Sequence, residues 1–395
     1  VPTDDQPRIL RRQGAHEQPT FLELFFDLVY IFMLSRLSQG LAEDLTLRNA
    51  AQTAVLLLAA WWVWVLTAWL TDLFNPQLPV IQGLVLVVMF GTLAMAVAVP
   101  RAFGAHGFIF VAAYFGIHVA RDAVLIPGTR VNPYIQARSI RVFFWFLVSA
   151  PLWVAGAFTG GNVRLTLWAI AAVVDLWSAR IGWPTPRLGR TELASQIFTG
   201  NHLTERHRQI FIIGIGELIL TAGSGLALSQ PDGGRIAVAA VAFANAMLLF
   251  QMYFQRVQQL LAPGEVSSLE RVRPATSTSY SHLVMVAGVV VISTSTSLTF
   301  SRPLGEVSVA WILTLLGGPG LFLLGTCLFD YVVTSRILWS RSIALLVLAA
   351  IAPAMPLLPP LGVMVVTNLV LLITLISEMI LKRRRPVSHL MKQRR

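Results

Sequence analysis

The chain has 395 residues, of which 55% are hydrophobic and only 12% charged, and its mean hydropathy is +0.69. A soluble domain carries about a quarter charged residues, so this composition excludes a soluble globular protein. The net charge of +11 would suit a nucleic-acid binder, but the basic residues sort by loop and do not gather on one element.

Apolar runs long enough to cross a ~30 Å hydrocarbon core recur at 21–39, 51–72, 79–99, 105–124, 140–158, 164–181, 209–228, 236–255, 280–300, 307–328, 341–357 and 360–381. They are continuous and lack the weak alternation of barrel strands. The prediction is an all-α polytopic membrane protein with about twelve transmembrane helices. Of the 30 Lys and Arg, 24 fall on the termini and even-numbered loops, five on the odd-numbered loops, and Arg36 lies within the first run. Such a bias sets orientation and puts both termini in the cytoplasm. The tail 382–395 then reads as a basic patch that holds anionic lipid, with no nucleic acid as partner.

The first span opens with Glu23 and Asp27, i and i+4 on one helix face. Two stacked carboxylates repel each other unless they share a proton or meet a cation, for which Arg206, His282 or a bound cation could serve. The second span crowds Trp61, Trp62, Trp64 and Trp69 into WWVWVLTAW, where Trp61 and Trp62 fall too deep for an interfacial belt. They read as packing residues or as an aromatic wall for a cation. His118 and Asp175 stand near the cytoplasmic ends of spans 4 and 6. Residues 182–205 form the longest polar connection and the expected linker, with the termini 1–20 and 382–395 as tails. His202, Glu205 and Arg206 lead into span 7, and Glu217 lies in mid-run among IFIIGIGELILTAGSG. A carboxylate at that depth costs roughly 2.5–3.5 kcal/mol and marks a functional site by default. His282 opens span 9, and Glu378 stands near the end of span 12.

The halves 21–181 and 206–381 match weakly at an offset near 203: Arg138 with Arg341, Asp175 with Glu378, and Arg101 with Arg302. Six spans per half is an even number, so the halves run in the same direction as two parallel six-helix repeats. Cys327 is the single cysteine, which leaves no intramolecular disulfide and no Cys-based metal site. His202, Glu205 and His282 lack a diagnostic metal spacing, so no metal and no cofactor is expected.

Four blocks, ELFFDLVYIF, WWVWVLTAWLTD, HLTER followed by IFIIGIGEL, and Tyr280-x-His282-Leu, together resemble the bacterial low-temperature-requirement A family along essentially the whole chain. The resemblance implies a multi-pass inner-membrane protein whose biochemical activity is not settled. It places Glu23, Asp27, His202, Glu205, Arg206, Glu217 and His282 on the family's motif positions. The chain departs from the pattern after Arg206, where His207-Arg208-Gln209 is more basic, and at Gln255, where an acid is common.

These residues lead to three functional expectations. The first is a proton- or cation-coupled transporter of a small or amphipathic molecule. In it Glu217, Glu23, Asp27, Glu205 and His282 handle protons, while His202, Arg206, Trp61, Trp62 and His118 meet substrate. The alternative is an intramembrane enzyme of isomerase or cyclase type, using acid–base chemistry on a lipid-like substrate. The third is a structural or lipid-organising protein. The five proton-handling residues are expected to converge on one cavity open to the cytoplasm.

Overall fold

The computed structural model describes residues 9–11, 18–191, 200–228, 230, 232–261 and 275–384. Twelve α-helices lie among them: α1 (Phe21–Glu43), α2 (Leu47–Leu73), α3 (Pro79–Ala98), α4 (Gly107–Gly128), α5 (Pro133–Phe158), α6 (Gly161–Arg180), α7 (Gly200–Leu228), α8 (Gly233–Leu261), α9 (Ala275–Ser301), α10 (Val309–Thr334), α11 (Trp339–Ile351) and α12 (Pro360–Arg384). The basic tail beyond residue 384 and residues 192–199 of the expected linker lie outside the described residues.

Ten of these helices, α11 together with the turn that carries it on to Leu357, are long and apolar enough to cross a membrane; α1 and α6 are not among them. Both carry charges that an apolar segment lacks: Glu23, Asp27 and Arg36 in α1, Arg164 and Asp175 in α6. Their faces explain how the charge is accommodated. In α1, Phe21, Phe25, Leu28 and Phe32 are exposed, while Glu23, Asp27, Tyr30 and Ser38 are buried. In α6, Ile170, Val173 and Trp177 point out, while Asp175 and Ser178 point in. Apolar outside and polar inside is the arrangement that a lipid solvent favours and water does not.

Local signals fix the helix starts. Thr20 caps α1 in a reciprocal capping box, its hydroxyl facing the Glu23 backbone while the Glu23 carboxylate accepts from the Thr20 N–H at 2.7 Å. Thr46 caps α2, and Asn132 with Pro133 starts α5. After Ile351 the backbone tightens into a 3-10 turn over Ala352–Leu357, where Pro353 and Pro356 cannot continue an α-helix. The eleventh span is therefore a short α-helix with a 3-10 end. In contrast, α7 reaches back to Gly200, nine residues before the apolar run begins, and so carries His202, Glu205 and Arg206 on helix.

The chain forms two compact units, one of Val1–Glu217 with Ser268–Leu283, the other of Leu218–Ser267 with Val284–Arg395. In the first, α2 packs against α1, α3, α4 and α6, and α5 packs between α4 and α6. The apolar window of α2 is 89% buried, as expected for a helix that is hydrophobic all round. In the second unit α8 packs on α12 and α10, and α11 on α10 and α12.

Polar pairs tie the helices of the second unit together. Arg256 pairs with Asp330, Arg341 forks onto Glu378 at 2.9 and 3.0 Å, and Asn245 donates to Asn368 at 2.6 Å. Backbones of α9 and α10 touch where two glycines face each other. A Cβ on Gly288 would lie 2.7 Å from the Phe322 nitrogen and 2.8 Å from the Gly318 oxygen, a close approach that only small residues permit. Gly288→Leu should therefore lower stability by about 1–3 kcal/mol, as overpacking does. Gly317→Leu, where a Cβ would meet nothing within 4 Å, should change it by less than about 0.5 kcal/mol. Thermal unfolding of the purified variants measures both.

Candidate functional site

Helices α1 and α7 meet along a seam of three polar pairs. Glu23 Oε1 lies 3.1 Å from His202 Nε2. Asp27 accepts both Nη atoms of Arg206, at 2.8 and 2.9 Å. Ser38 Oγ donates to Glu217 Oε1 at 3.1 Å. Every pair joins residues 179 positions apart (23 to 202, 27 to 206, 38 to 217). A constant offset means that the helices run parallel and in register. The i, i+4 spacing of Glu23 and Asp27 answers the same spacing of His202 and Arg206, so both pairs project from one face. At 1.5 Å per residue the first two pairs are ~6 Å apart and the third lies ~16 Å further along. Between the second and third, α1 contributes buried Tyr30, Met33, Leu34 and Leu37 and α7 contributes buried Ile210 and Ile215.

Helix α2 closes the cluster from the side. Asp72 Oδ1 lies 3.0 Å from His202 Nδ1, so each ring nitrogen of His202 faces a carboxylate. Trp64 Nε1 donates to Asp27 Oδ1 at 2.9 Å. The Arg206 guanidinium lies over the rings of Phe26 and Trp64, at 6.0 and 5.9 Å from their centroids. The cation beside Trp64 of span 2 is thus an arginine of the protein itself. Trp61 stacks on Trp64 at 4.8 Å and donates to the Ser279 carbonyl. Trp62 packs edge-on against Trp69.

Three carboxylates, Glu23, Asp27 and Asp72, face one guanidinium and one imidazole, and all five residues are at most 2% exposed. Buried charges at this density must be paired. A His202 imidazolium donates to both neighbouring acids; neutral imidazole can donate to only one. Its bracketing by Glu23 and Asp72 is therefore a place for a proton.

Beside this cluster stands a second imidazole pair. His207 packs against Trp64, at 5.2 Å, and His282, at 4.6 Å. The Leu203 carbonyl takes the Nδ1 proton of His207, so its Nε2 accepts from the Ser279 hydroxyl at 3.0 Å. His282 Nδ1 lies 2.9 Å from the Thr278 carbonyl.

The remaining candidates stand elsewhere. Glu205 pairs with Arg208 at 2.5 Å, both partly exposed, and is not part of the seam. His118 packs with Tyr114 and Phe146 at 4.4 and 4.7 Å, beside Asp175. The Asp175 carboxylate accepts from Ser149, Tyr114 and Trp153 at 2.5, 2.8 and 3.0 Å. Of the five residues expected on one cavity, Glu23 and Asp27 are joined at one end of the seam, Glu217 stands at the other, His282 adjoins through His207, and Glu205 stands apart. No cluster of three or more His, Cys, Asp or Glu side chains arranged for a metal occurs among the described residues.

Sequence reasoning overlooked Asp72, Trp64, His207 and Ser38 as members of this site. Asp72 ends the long uncharged run 49–71, which was the available signal. Ser38 stands eleven residues beyond Asp27, three helical turns on the same face.

The arrangement sits on a chain whose residues 18–376 match the model of the bacterial low temperature requirement A protein family (LtrA). The chain belongs to that family. A relative from Rhizobium meliloti (strain 1021), an uncharacterized protein, is 30% identical over 373 residues, covering 93% of this chain and 91% of its own length. No solved structure matches. Family membership makes the protein an integral membrane protein of bacterial type, and all residues of the α1–α7 seam pairs except Ser38 lie in the blocks that carried the resemblance, ELFFDLVYIF, HLTER and IFIIGIGEL.

Proposed function

We propose that this protein is a proton-coupled carrier of a small or amphipathic molecule in the inner membrane, and that the α1–α7 seam is its coupling element. The observation that carries the reading is the constant register of the three polar pairs. They place ionisable groups at both ends of one helix–helix contact with an apolar stretch between them. Buried ionisable groups in line along membrane helices are what proton relays in pumps and carriers use. The apolar stretch around Met33 and Leu34 separates the two ends, so protons cross only when the helices rearrange. An enzyme would instead group its acids around a substrate-sized space; here they are in line and each meets a protein partner.

The same reading takes all twelve helices as spans, because α1 and α6 turn their apolar faces outward. It takes the two units as cores of parallel six-helix repeats. In support, α2–α6, α4–α5 and α5–α6 of the first unit correspond to α8–α12, α10–α11 and α11–α12 of the second. Both termini and the Glu23 end of the seam face the cytoplasm. Reporter fusions after residue 395 and within 182–205 should read cytoplasmic, and one near Asn162 should read outside; an external C-terminus would reverse the placement.

Transport itself is tested in energised inverted membrane vesicles that hold the protein, with a dye for the pH gradient. Addition of a panel of inorganic cations, amines and organic acids should identify at least one class that dissipates the gradient only with the wild-type chain. Responses identical in wild-type and His202→Gln vesicles across the panel would count against a carrier.

A further inference from the structure

Where α1 ends and α2 begins, a pocket of about 300 Å³ opens against the α3–α4 connection. That volume is at the lower end of the range for small-molecule sites. Leu37, Leu56 and Phe103 give it an apolar lining, while Glu43, Asp44 and Arg48 bring charge to it. Asn49 fixes the turn between the two helices, its Nδ2 donating to the carbonyls of Gly40 and Asp44 at 2.8 Å each. The Thr46 hydroxyl donates to Asp44 at 2.9 Å and caps α2.

The charges are divided between the helices by sign. Glu43 and Asp44 stand at the C-terminal end of α1, and Arg48 stands in the first turn of α2. Both signs reinforce the helix dipole at their own end instead of offsetting it, which is unfavourable. None of the three forms an ion pair among the described residues. A fourth side chain independently calls for an occupant. Thr53 lines the same pocket, is only 8% exposed, and its hydroxyl has no hydrogen-bond partner among the described residues. A buried hydroxyl without a partner is costly.

Opposite charges on two walls select the ligand. A simple cation would leave Arg48 unmatched, and a simple anion would leave the two acids unmatched. We propose that this pocket binds a small zwitterion, its ammonium against Glu43 and Asp44, its carboxylate against Arg48, and an apolar group on Leu37, Leu56 and Phe103. Leu37 and Gly40 line the pocket and bracket Ser38 in sequence, so the pocket stands at the Glu217 end of the seam. As the substrate class of the carrier the zwitterion rests on the reading above; its binding does not.

The test is isothermal titration calorimetry of the full-length protein in neutral detergent at neutral pH. The probes are L-leucine, isoamylamine, which lacks its carboxylate, and isocaproate, which lacks its ammonium. Leucine should bind at least about fivefold more tightly than either analogue, the effect of one charge contact in a partly open pocket. Arg48→Gln should weaken leucine binding about fivefold and abolish its advantage over isoamylamine. Glu43→Gln/Asp44→Asn should weaken it as much and abolish its advantage over isocaproate. Thr53→Val keeps the shape of the side chain and should weaken leucine binding about threefold. Arg302→Gln, exposed and in the second unit, should change nothing. Leucine binding no tighter than that of either analogue overturns the proposal, and so does undiminished affinity in both charge variants. Binding needs no pH gradient, so this selectivity without vesicle transport would sink the carrier reading alone.

Discussion

Arg206→Gln is expected to be the most damaging single substitution in the first unit, at about 3–5 kcal/mol. Arg206 is fully buried, forks onto Asp27, and lies with its Nε 3.8 Å from Glu23. Glutamine has the volume to fill part of the space but brings no charge. Asp27 would then keep only the Trp64 donor, and a carboxylate stripped of its counter-ion inside a helix bundle is the costly event. Asp27→Asn should be damaging for the mirror reason, because it strands the guanidinium. The double variant Arg206→Gln/Asp27→Asn leaves neither charge and should recover much of the loss. Thermal unfolding followed by tryptophan fluorescence gives the four corners of the cycle. Losses that simply add would show that the two residues are not a coupled pair.

Glu217→Gln is expected to do the opposite: it abolishes transport while leaving a folded protein. Glutamine keeps the carbonyl oxygen that accepts from Ser38 Oγ, so its stability should fall by no more than about 1 kcal/mol. It cannot release or take a proton at neutral pH, and the end of the seam away from Glu23 then has no titratable group. The measurement is vesicle transport alongside size-exclusion behaviour of the same preparation. Full activity would make Glu217 a hydrogen-bonding residue only, and loss of the folded protein would make it a structural one.

The helical class and most spans were legible in the sequence because the lipid solvent imposes a crude rule, a continuous apolar run of fixed length. That rule weakens at α1 and α6, whose charges are met inside the unit, and only the sidedness of their apolar faces reveals how. Glu23 and Asp27 could be paired from i, i+4 spacing alone. Their partners could not, because Arg206 and His202 lie 179 residues away and spacing carries no tertiary register. Glu205 misled for a related reason: it is adjacent to Arg206, and neighbours on a helix point in different directions, here toward Arg208. Asp72 reads as a loop acid until α2 is seen to be buried around its whole circumference. The start of α7 was placed too late because its first turns are polar, and a hydropathy run cannot register a helix whose polar face is buried against another.

A pH jump applied to liposomes on a solid-supported membrane tests the central claim, that the α1–α7 seam takes up and releases protons, without knowledge of the substrate. Proton movement into the seam is a charge displacement across part of the membrane and appears as a transient current. The wild-type protein should give one; His202→Gln and Glu217→Gln should each lose most of it; Glu205→Gln, off the seam, should retain it. A wild-type current no larger than that of empty liposomes, or one that survives intact in both His202→Gln and Glu217→Gln, would contradict the account.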